Sequence, residues 1–339
     1  MLHKTIIQGR IEFGTQKAYD MAVKMYVSRS EKYYKSDVLF TIEEIFFPDE
    51  LALSIPRFVK QVYDKSFRNT SALLEYIVQF GLSGILDVWQ LDEGKILHFK
   101  HLEPQSDKVA VQQYIKGKSL VDLEGKEDEA INALTKAIEK YDRHAQAYER
   151  RAQVNFKLRK YHDALRDYKK CLGLDPANPY AYYGKSLVHN QNEEYEEAID
   201  SLQMAIKKSV ALQAIHWKAR RLKGKLHLRL SQFEKADFEL KLFAKRKFGQ
   251  DNQNFHWKRE VHILYGKVLI GLEKFTDAIS QFEAALDLNE GHDTIPKAEI
   301  LRYRGQAKKL AGQKGYLDDI KNAADQGDEE AAQMLKAIA

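Results

Sequence analysis

A chain of 339 residues with 44% hydrophobic and 30% charged residues has the composition of a folded protein, and its formal net charge is +5. Its only cysteine, Cys171, excludes an internal disulfide framework and a cysteine-based zinc site. The N-terminal residues lack the apolar core of a secretion signal, and no run approaches the ~18 apolar residues of a membrane helix. We therefore expect a cytoplasmic protein with two domains, or with one domain and a repeat array.

Residues 1–108 mix strand and helix patterns, and we expect them to form a small α/β domain. The clearest signal is a β-hairpin, because two apolar runs flank the turn sequence Asp92-Glu93-Gly94. The predicted elements are, in chain order, a strand over 5–13, a helix capped by Thr15, a strand over 37–42, helices over 58–63 and 70–80, and hairpin strands over 84–91 and 95–102.

The N-terminal region offers no set of residues arranged for catalysis. His98 and His101 are three residues apart on a predicted strand, so they point to opposite faces and are poorly placed to share a metal. Trp89 suits cross-strand packing better than ligand binding. The sequence contains no phosphate-binding loop and no nucleophile–base motif. We therefore expect no catalytic residue, cofactor or metal, and an enzyme with a site in residues 1–108 remains the weaker alternative.

The rest of the chain is repetitive. Ala130, Ala164 and Ala198 are 34 residues apart, and each is followed by isoleucine or leucine. Ala236 and Ala278 continue the series at spacings of 38 and 42 residues. Small and apolar residues that return in phase indicate an array of similar structural units.

Over residues 109–339 this pattern resembles the tetratricopeptide repeat family. The resemblance implies helix pairs that stack in succession, which gives a mostly α fold: a right-handed superhelix, or solenoid, preceded by the small α/β domain. We expect five to six pairs and a final capping helix that starts after Asp328. The wider spacings predict longer helices or extended connections around 210–217 and 248–257.

The family also places a small residue where the two helices of a pair approach each other. Lys118 departs from this rule, which suggests that the first pair partly serves as a cap against the preceding domain. The corresponding residues in the five pairs are Lys118, Ala152, Ser186, Gly224 and Gly266.

In this family the first helix of each pair lines a concave groove that holds another protein or a peptide. Transferred to this chain, the groove would change from polar through aromatic to basic along the array. The expected partner-binding residues are Gln153, Phe156, Tyr180, Tyr183, Asn190, Lys218, Arg221, Lys225 and Arg229, and Gln146 and Glu149 occupy further groove positions. The alternative for the tyrosines is packing between neighbouring repeats.

Positive charge is concentrated between residues 207 and 247, where thirteen bases face three acids. This excess predicts an acidic partner, first of all a protein or peptide. The alternative is a nucleic-acid backbone. Binding of a chaperone's terminal carboxylate is not expected, since the clamp positions that some family members use hold Ile115, Ser119, Gln153, Tyr183 and Leu187 here. We predict a non-catalytic scaffold or adaptor that binds its partner in the groove.

Overall fold

An antiparallel sheet with three α-helices forms the N-terminal part of the protein in the computed structural model, which describes residues 1–289 and 293–337. The strands lie side by side in the order second, third, first, fourth and fifth. The elements are β1 (Leu2–Glu12), α1 (Gln16–Lys32), α2 (Ile42–Ile45), β2 (Phe46–Phe47), β3 (Ala52–Tyr63), α3 (Asp64–Val78), β4 (Ser83–Asp92) and β5 (Lys95–Leu102).

The core of this region lies between the sheet and α1 and α3. β1 is the central strand and pairs with both β3 and β4 along most of its length. Its residues Ile7 and Ile11 are completely buried, in one cluster with Leu73 and Ile77 of α3 and Tyr26 of α1. The expected cap of α1 is also present, because the Thr15 hydroxyl accepts a hydrogen bond from a backbone N–H in the first turn.

Two of the predicted N-terminal elements are wrong. Residues 58–63 belong to β3 and pair with β1, whereas the sequence suggested a helix. Apolar side chains at Phe58, Val59, Val62 and Tyr63 fit a helical spacing as well as a strand, so the pattern alone could not decide. The pairing of these residues with a long neighbouring strand decided it.

The predicted strand over 37–42 is instead a loop followed by α2. The backbone N–H of Leu39 donates to the hydroxyl of Thr70, at 2.9 Å, and the amide of Asn69 donates to the carbonyl of Asp37. Side chains of α3 therefore satisfy this backbone without a strand partner. They can do so because α3 begins at Asp64, earlier than the predicted start near residue 70.

From Val109 onward the protein is helical, as the expected mostly α fold requires. The helices are α4 (Val109–Leu120), α5 (Glu127–Lys140), α6 (Ala145–Lys157), α7 (Tyr161–Leu174), α8 (Pro179–Gln191), α9 (Tyr195–Lys208), α10 (Ala214–Arg229), α11 (Phe233–Lys245), α12 (Lys258–Gly271), α13 (Phe275–Leu286), α14 (Lys297–Leu310), α15 (Tyr316–Asp325) and α16 (Glu329–Lys336).

The chain divides into two compact units, Met1–Gly184 and Lys185–Ala339, with the boundary inside α8. In the first unit α4 packs on α5, α5 on α6, and α6 on α7. In the second unit α9 to α15 pack in the same successive manner, and α16 covers α15. The domain boundary predicted near residue 108 falls within the first unit, between β5 and α4, and stays a prediction.

Two consecutive helices of the array form a helical hairpin. In each hairpin both helices have a small residue where they approach each other. The in-phase alanines of the second helices, such as Ala164 and Ala278, are completely buried. The small residues of the first helices pack against the residue four positions after the alanine, as Gly266 does against Phe282. In the first hairpin Gly117 takes this position, packed against Leu134, and the neighbouring Lys118 bonds Glu103 instead. The departure at Lys118 is therefore a shift of the contact by one residue.

The wider spacings correspond to real differences in the helices and their connections. α10 has 16 residues, against 13 in α6 and α8. The connection between α11 and α12 is extended and contains a 3-10 turn at Phe255–Trp257. The C-terminal helix α16 is capped as expected, because the Asp328 carboxylate accepts from the backbone N–H of Ala331 at 2.8 Å. Among the described residues, no helix has both the length and the apolar character that crossing a membrane requires.

The helix contact at Gly266 predicts a specific loss of stability. A Cβ at this position would lie 2.6 Å from the ring of Phe282, which is completely buried and has no space to move. We expect Gly266→Ala to lower the free energy of unfolding by about 1–3 kcal/mol in urea titrations. Hydrogen exchange should locate the loss in α12 and α13.

The matched control is Gly173→Ala on α7, where a new Cβ would meet no atom within 4 Å. We expect this variant to be unchanged or more stable by about 0.5–1 kcal/mol, because alanine favours helix over glycine. Equal behaviour of the two variants would contradict the close helix contact.

Candidate functional site

The first helices of successive hairpins lie next to one another within each unit. In the first unit α4 contacts α6, and in the second unit α10 contacts α12 and α12 contacts α14. Side chains on the exposed side of these helices therefore share one surface, which is where the groove was expected.

Four of the expected groove residues lie along one side of α10. Lys218, Arg221, Lys225 and Arg229 follow one another at spacings of three, four and four residues, which is the repeat of a helix face. We name these four residues the basic stripe. The Lys225 side chain is 54% exposed, whereas the Arg221 side chain is only 14% exposed.

A buried carboxylate from the next hairpin pairs with the basic stripe. Glu260 of α12 accepts from the guanidinium of Arg221 at 2.5 Å and from the ammonium of Lys225 at 3.0 Å. Glu260 is itself buried, with 6% of its surface exposed. Arg221 and Lys225 therefore share one acid, and the three groups together keep a net positive charge.

Aromatic rings hold both arginines of the basic stripe. The guanidinium of Arg221 lies 3.5 Å from the ring centre of Trp257, and that of Arg229 lies 4.5 Å from the ring centre of Tyr195. Such stacking orients a guanidinium without removing its charge. Trp257, at the end of the connection between α11 and α12, therefore positions a base of the expected groove.

The pairing between first helices recurs one hairpin later. Lys267 of α12 donates to Glu299 of α14 at 2.8 Å, at the positions that correspond to Lys225 and Glu260. Neither glutamate was among the expected groove residues. The signal was available, because each stands at the second position of the repeat that follows its lysine.

The thirteen bases between residues 207 and 247 do not form one surface. Arg220 and Lys223, also on α10, both pair with Glu239 of α11, at 2.5 and 2.8 Å. Glu239 is 3% exposed, so this cluster ties the two helices of one hairpin together. The bases counted along the sequence are therefore distributed over α9, α10, α11 and the connection after α11.

In the first unit the sheet covers part of the expected groove. The backbone N–H of Gly84 in β4 donates to the side-chain oxygen of Gln146 at 3.0 Å. Gln146 and Glu149 are both buried. Burial raises the pKa of Glu149, and the adjacent Arg150 opposes this shift. These two positions are therefore not open to a partner, in contrast to the expectation.

The remaining expected residues of the first unit have partners within it. The guanidinium of Arg150 donates to Gln153 at 2.9 Å, and the ring of Phe156 packs on that of Tyr161 at 5.5 Å. Tyr180 is 37% exposed. Burial raises its pKa to about 12, with a further contribution from the charge of Asp87 in β4.

The nine expected residues thus lie in two different units of the chain. Gln153, Phe156, Tyr180 and Tyr183 lie in the first unit, and Tyr183 is partly buried. Asn190 and the basic stripe lie in the second unit, and Asn190 is also partly buried. The structure brings Lys218, Arg221, Lys225 and Arg229 together on one helix face. Their role in binding stays a prediction.

The two N-terminal histidines have separate environments. The ring of His98 stacks on Phe67 with centres 6.1 Å apart, and His101 bonds the carboxylate of Asp87 at 2.7 Å. Trp89 stacks on Phe99 of the neighbouring strand, which confirms the predicted cross-strand packing. Within residues 1–289 and 293–337, no group of three or more potential ligand side chains could hold a metal ion.

Comparison with known proteins identifies the repeats. Residues 150–211 match the model of the tetratricopeptide repeat family. A serine/threonine-protein phosphatase T from Aspergillus oryzae is 35% identical over 79 residues, and a Hsp70-Hsp90 organizing protein from Triticum aestivum is 32% identical over 111 residues. These matches cover 23% and 32% of this chain, and only 16% and 19% of the two relatives.

Solved structures support the same fold. YrrB, described as a tetratricopeptide protein with an unusual peptide-binding site, superposes with a TM-score of 0.52 at 24% identity. The alignment covers 61% of this chain and 99% of that one. PilF of Pseudomonas aeruginosa gives the same TM-score at 17% identity, over 69% of this chain and 99% of its own. Tetratricopeptide repeats mediate protein–protein interaction.

A buried histidine in the first unit predicts a dependence of stability on pH. His144 has no exposed surface, caps α6 by accepting from the backbone N–H of Ala147, and lies 4.6 Å from the ring of Tyr114. Burial lowers its pKa to about 3. Below about pH 6.5 the unfolded chain binds a proton at this histidine that the folded chain does not. The free energy of unfolding therefore decreases as the pH decreases.

Between about pH 7.5 and pH 5 we expect His144 to account for a loss of about 2 kcal/mol in the unfolding free energy of the first unit. His144→Asn keeps a capping side chain, so its pH dependence should be smaller by about this amount. Urea titrations at the two pH values measure the difference. An unchanged pH dependence in the variant would contradict the buried neutral state of His144.

Proposed function

Because the chain carries tetratricopeptide repeats, we propose that it is a non-catalytic scaffold that holds an acidic peptide, or an acidic surface of another protein, against the basic stripe of α10. The observation that carries this proposal is the charge balance of the stripe. Two of its bases, Arg221 and Lys225, share one buried carboxylate, Glu260, and the guanidinium of Arg229 lies on the ring of Tyr195. Neighbouring first helices extend the surface on which these bases lie.

The geometry of the basic stripe suits recognition of an elongated acidic segment. Its bases span about three turns of α10, so they match several carboxylates along a peptide and not a single ion. Stacking on Tyr195 holds the guanidinium of Arg229 before a partner arrives, which reduces the entropy lost on binding. The exposed ammonium of Lys225 can exchange Glu260 for a ligand carboxylate.

The test starts from peptides selected for binding to the full-length protein from a random display library at low salt. We expect these peptides to be enriched in aspartate and glutamate. Charge reversal at the exposed bases, Lys225→Glu with Arg229→Glu, should weaken their binding at least tenfold, because attraction becomes repulsion at two contacts. Fluorescence anisotropy measures the dissociation constants. Arg221 is left unchanged, because it is largely buried between Glu260 and Trp257.

The matched control is Lys169→Glu with Lys170→Glu, which reverses two exposed bases on α7. Its affinity for the selected peptides should be unchanged. Selected peptides without acidic enrichment, or equal effects of the two double variants, would contradict the stripe as a binding surface. If instead the protein retains labelled RNA with an affinity that falls steeply with salt, the partner is a nucleic acid.

Glu260→Gln should have the opposite effect on peptide binding. Loss of the internal carboxylate leaves Arg221 and Lys225 for the ligand, so we expect affinity for acidic peptides to rise about three- to tenfold, with a steeper salt dependence. Leaving Arg221 without its acid should also lower stability by about 1–3 kcal/mol. Anisotropy and urea titration measure the two effects.

Glu299→Gln serves as the control for this prediction. It removes the equivalent carboxylate between α12 and α14, away from α10. We expect little change in peptide affinity. A stronger effect of Glu299→Gln than of Glu260→Gln would move the binding surface to a later hairpin.

A further inference from the structure

The hairpin that carries the basic stripe consists of α10 and α11, and α11 has apolar side chains on its exposed side. On α11, Phe238 is 59% exposed and Leu242, one turn later, is 37% exposed. The opposite side of the helix is well packed, since Ala236, Leu240 and Phe243 are completely buried. The two exposed side chains are therefore not required for the packing of the hairpin.

Lysines border this apolar pair on both sides. In helical projection Lys235 lies on one flank of Phe238 and Leu242, and Lys241 and Lys245 lie on the other. These three lysines form no ion pair with any residue in the described ranges, and all are exposed. We name the five residues the outer patch. Glu234 is the acid on the same exposed side.

A cleft of about 530 Å³ opens beside Phe238, between α9, α10 and α11. Its apolar lining includes Ile206 of α9. Its charged lining includes Arg220 and Lys223, which Glu239 holds in place. The cleft can therefore accept an apolar side chain of a ligand while bases remain close to the rest of that ligand.

We propose that the outer patch is a second docking surface, for an acidic amphipathic segment of a partner protein that places one apolar side chain in the cleft. The lysines specify the acidic character by charge complementarity. Phe238, Leu242 and Ile206 specify the apolar anchor. A flat lipid surface could contact the lysines and Phe238 but could not fill the cleft, so the geometry favours a protein segment.

This surface is distinct from the one used in the proposed function. The basic stripe lies on α10 with Glu260 of α12, whereas the outer patch lies on α11 with the cleft towards α9. No residue belongs to both. One hairpin can therefore contact two acidic segments at the same time, and either surface can fail without the other.

The experiment measures how three double variants change the binding of the peptides that were selected on the full-length protein. Peptides that use the outer patch should contain acidic residues around an aromatic or aliphatic side chain. Their affinity should fall at least tenfold with Phe238→Ser and Leu242→Ser together, and at least fivefold with Lys241→Glu and Lys245→Glu together. It should not change with Lys225→Glu and Arg229→Glu. All of these side chains are exposed, so circular dichroism should show folded variants.

A selection without any peptide class that depends on both Phe238 and the lysines would overturn the proposal. Flotation with vesicles containing anionic phospholipid separates the other possible partner. Binding to such vesicles that is lost in the Phe238→Ser, Leu242→Ser variant, without a matching peptide class, would assign the patch to a membrane surface and overturn the proposal as well. If the Lys225→Glu, Arg229→Glu variant does not weaken the binding of any selected peptide, the function proposed for the basic stripe is contradicted. The proposal for the outer patch does not depend on that result.

Discussion

The close approach of two helices at one small residue is the contact on which the repeat structure depends. Gly266 against Phe282 and Gly224 against Leu240 leave no space for a side chain on the first helix. At this separation each hairpin buries one side and leaves another apolar side uncovered, so a neighbour must cover it. The first helices then lie next to one another, and the surface that carries the basic stripe is a consequence of this stacking.

The repeats could be predicted because the same physical requirement recurs in each hairpin. Ala164 and its counterparts are buried for the same reason, so their period is visible in a single sequence. The first hairpin deviates because Gly117, one residue before the expected position, makes the contact. The N-terminal region has no such repetition. Its segment 58–63 became a strand through pairing with β1, and the loop at 37–42 is held by side chains from a helix distant in sequence.

The positions of the basic stripe followed from the repeat pattern, but its electrostatic environment did not. Glu260 comes from the next hairpin, and its pairing with Arg221 and Lys225 requires the spacing between α10 and α12. A count of charges along the sequence also cannot assign a base to a helix face. Arg220 and Lys223 counted towards a binding surface, yet they fasten α10 to α11 through Glu239.

The contacts between the sheet and the first hairpins have a consequence for how this protein can be divided. Gly84 bonds Gln146, the hydroxyl of Tyr141 donates to Glu12, and Lys118 pairs with Glu103. An array that starts in solvent needs a polar helix at that end. Here β1, β4 and the residue that follows β5 contact this end of the array instead. Cleavage near residue 108 followed by separation of the two pieces would thus expose Gln146 and Tyr141, which are buried in the intact protein, and leave Lys118 without Glu103.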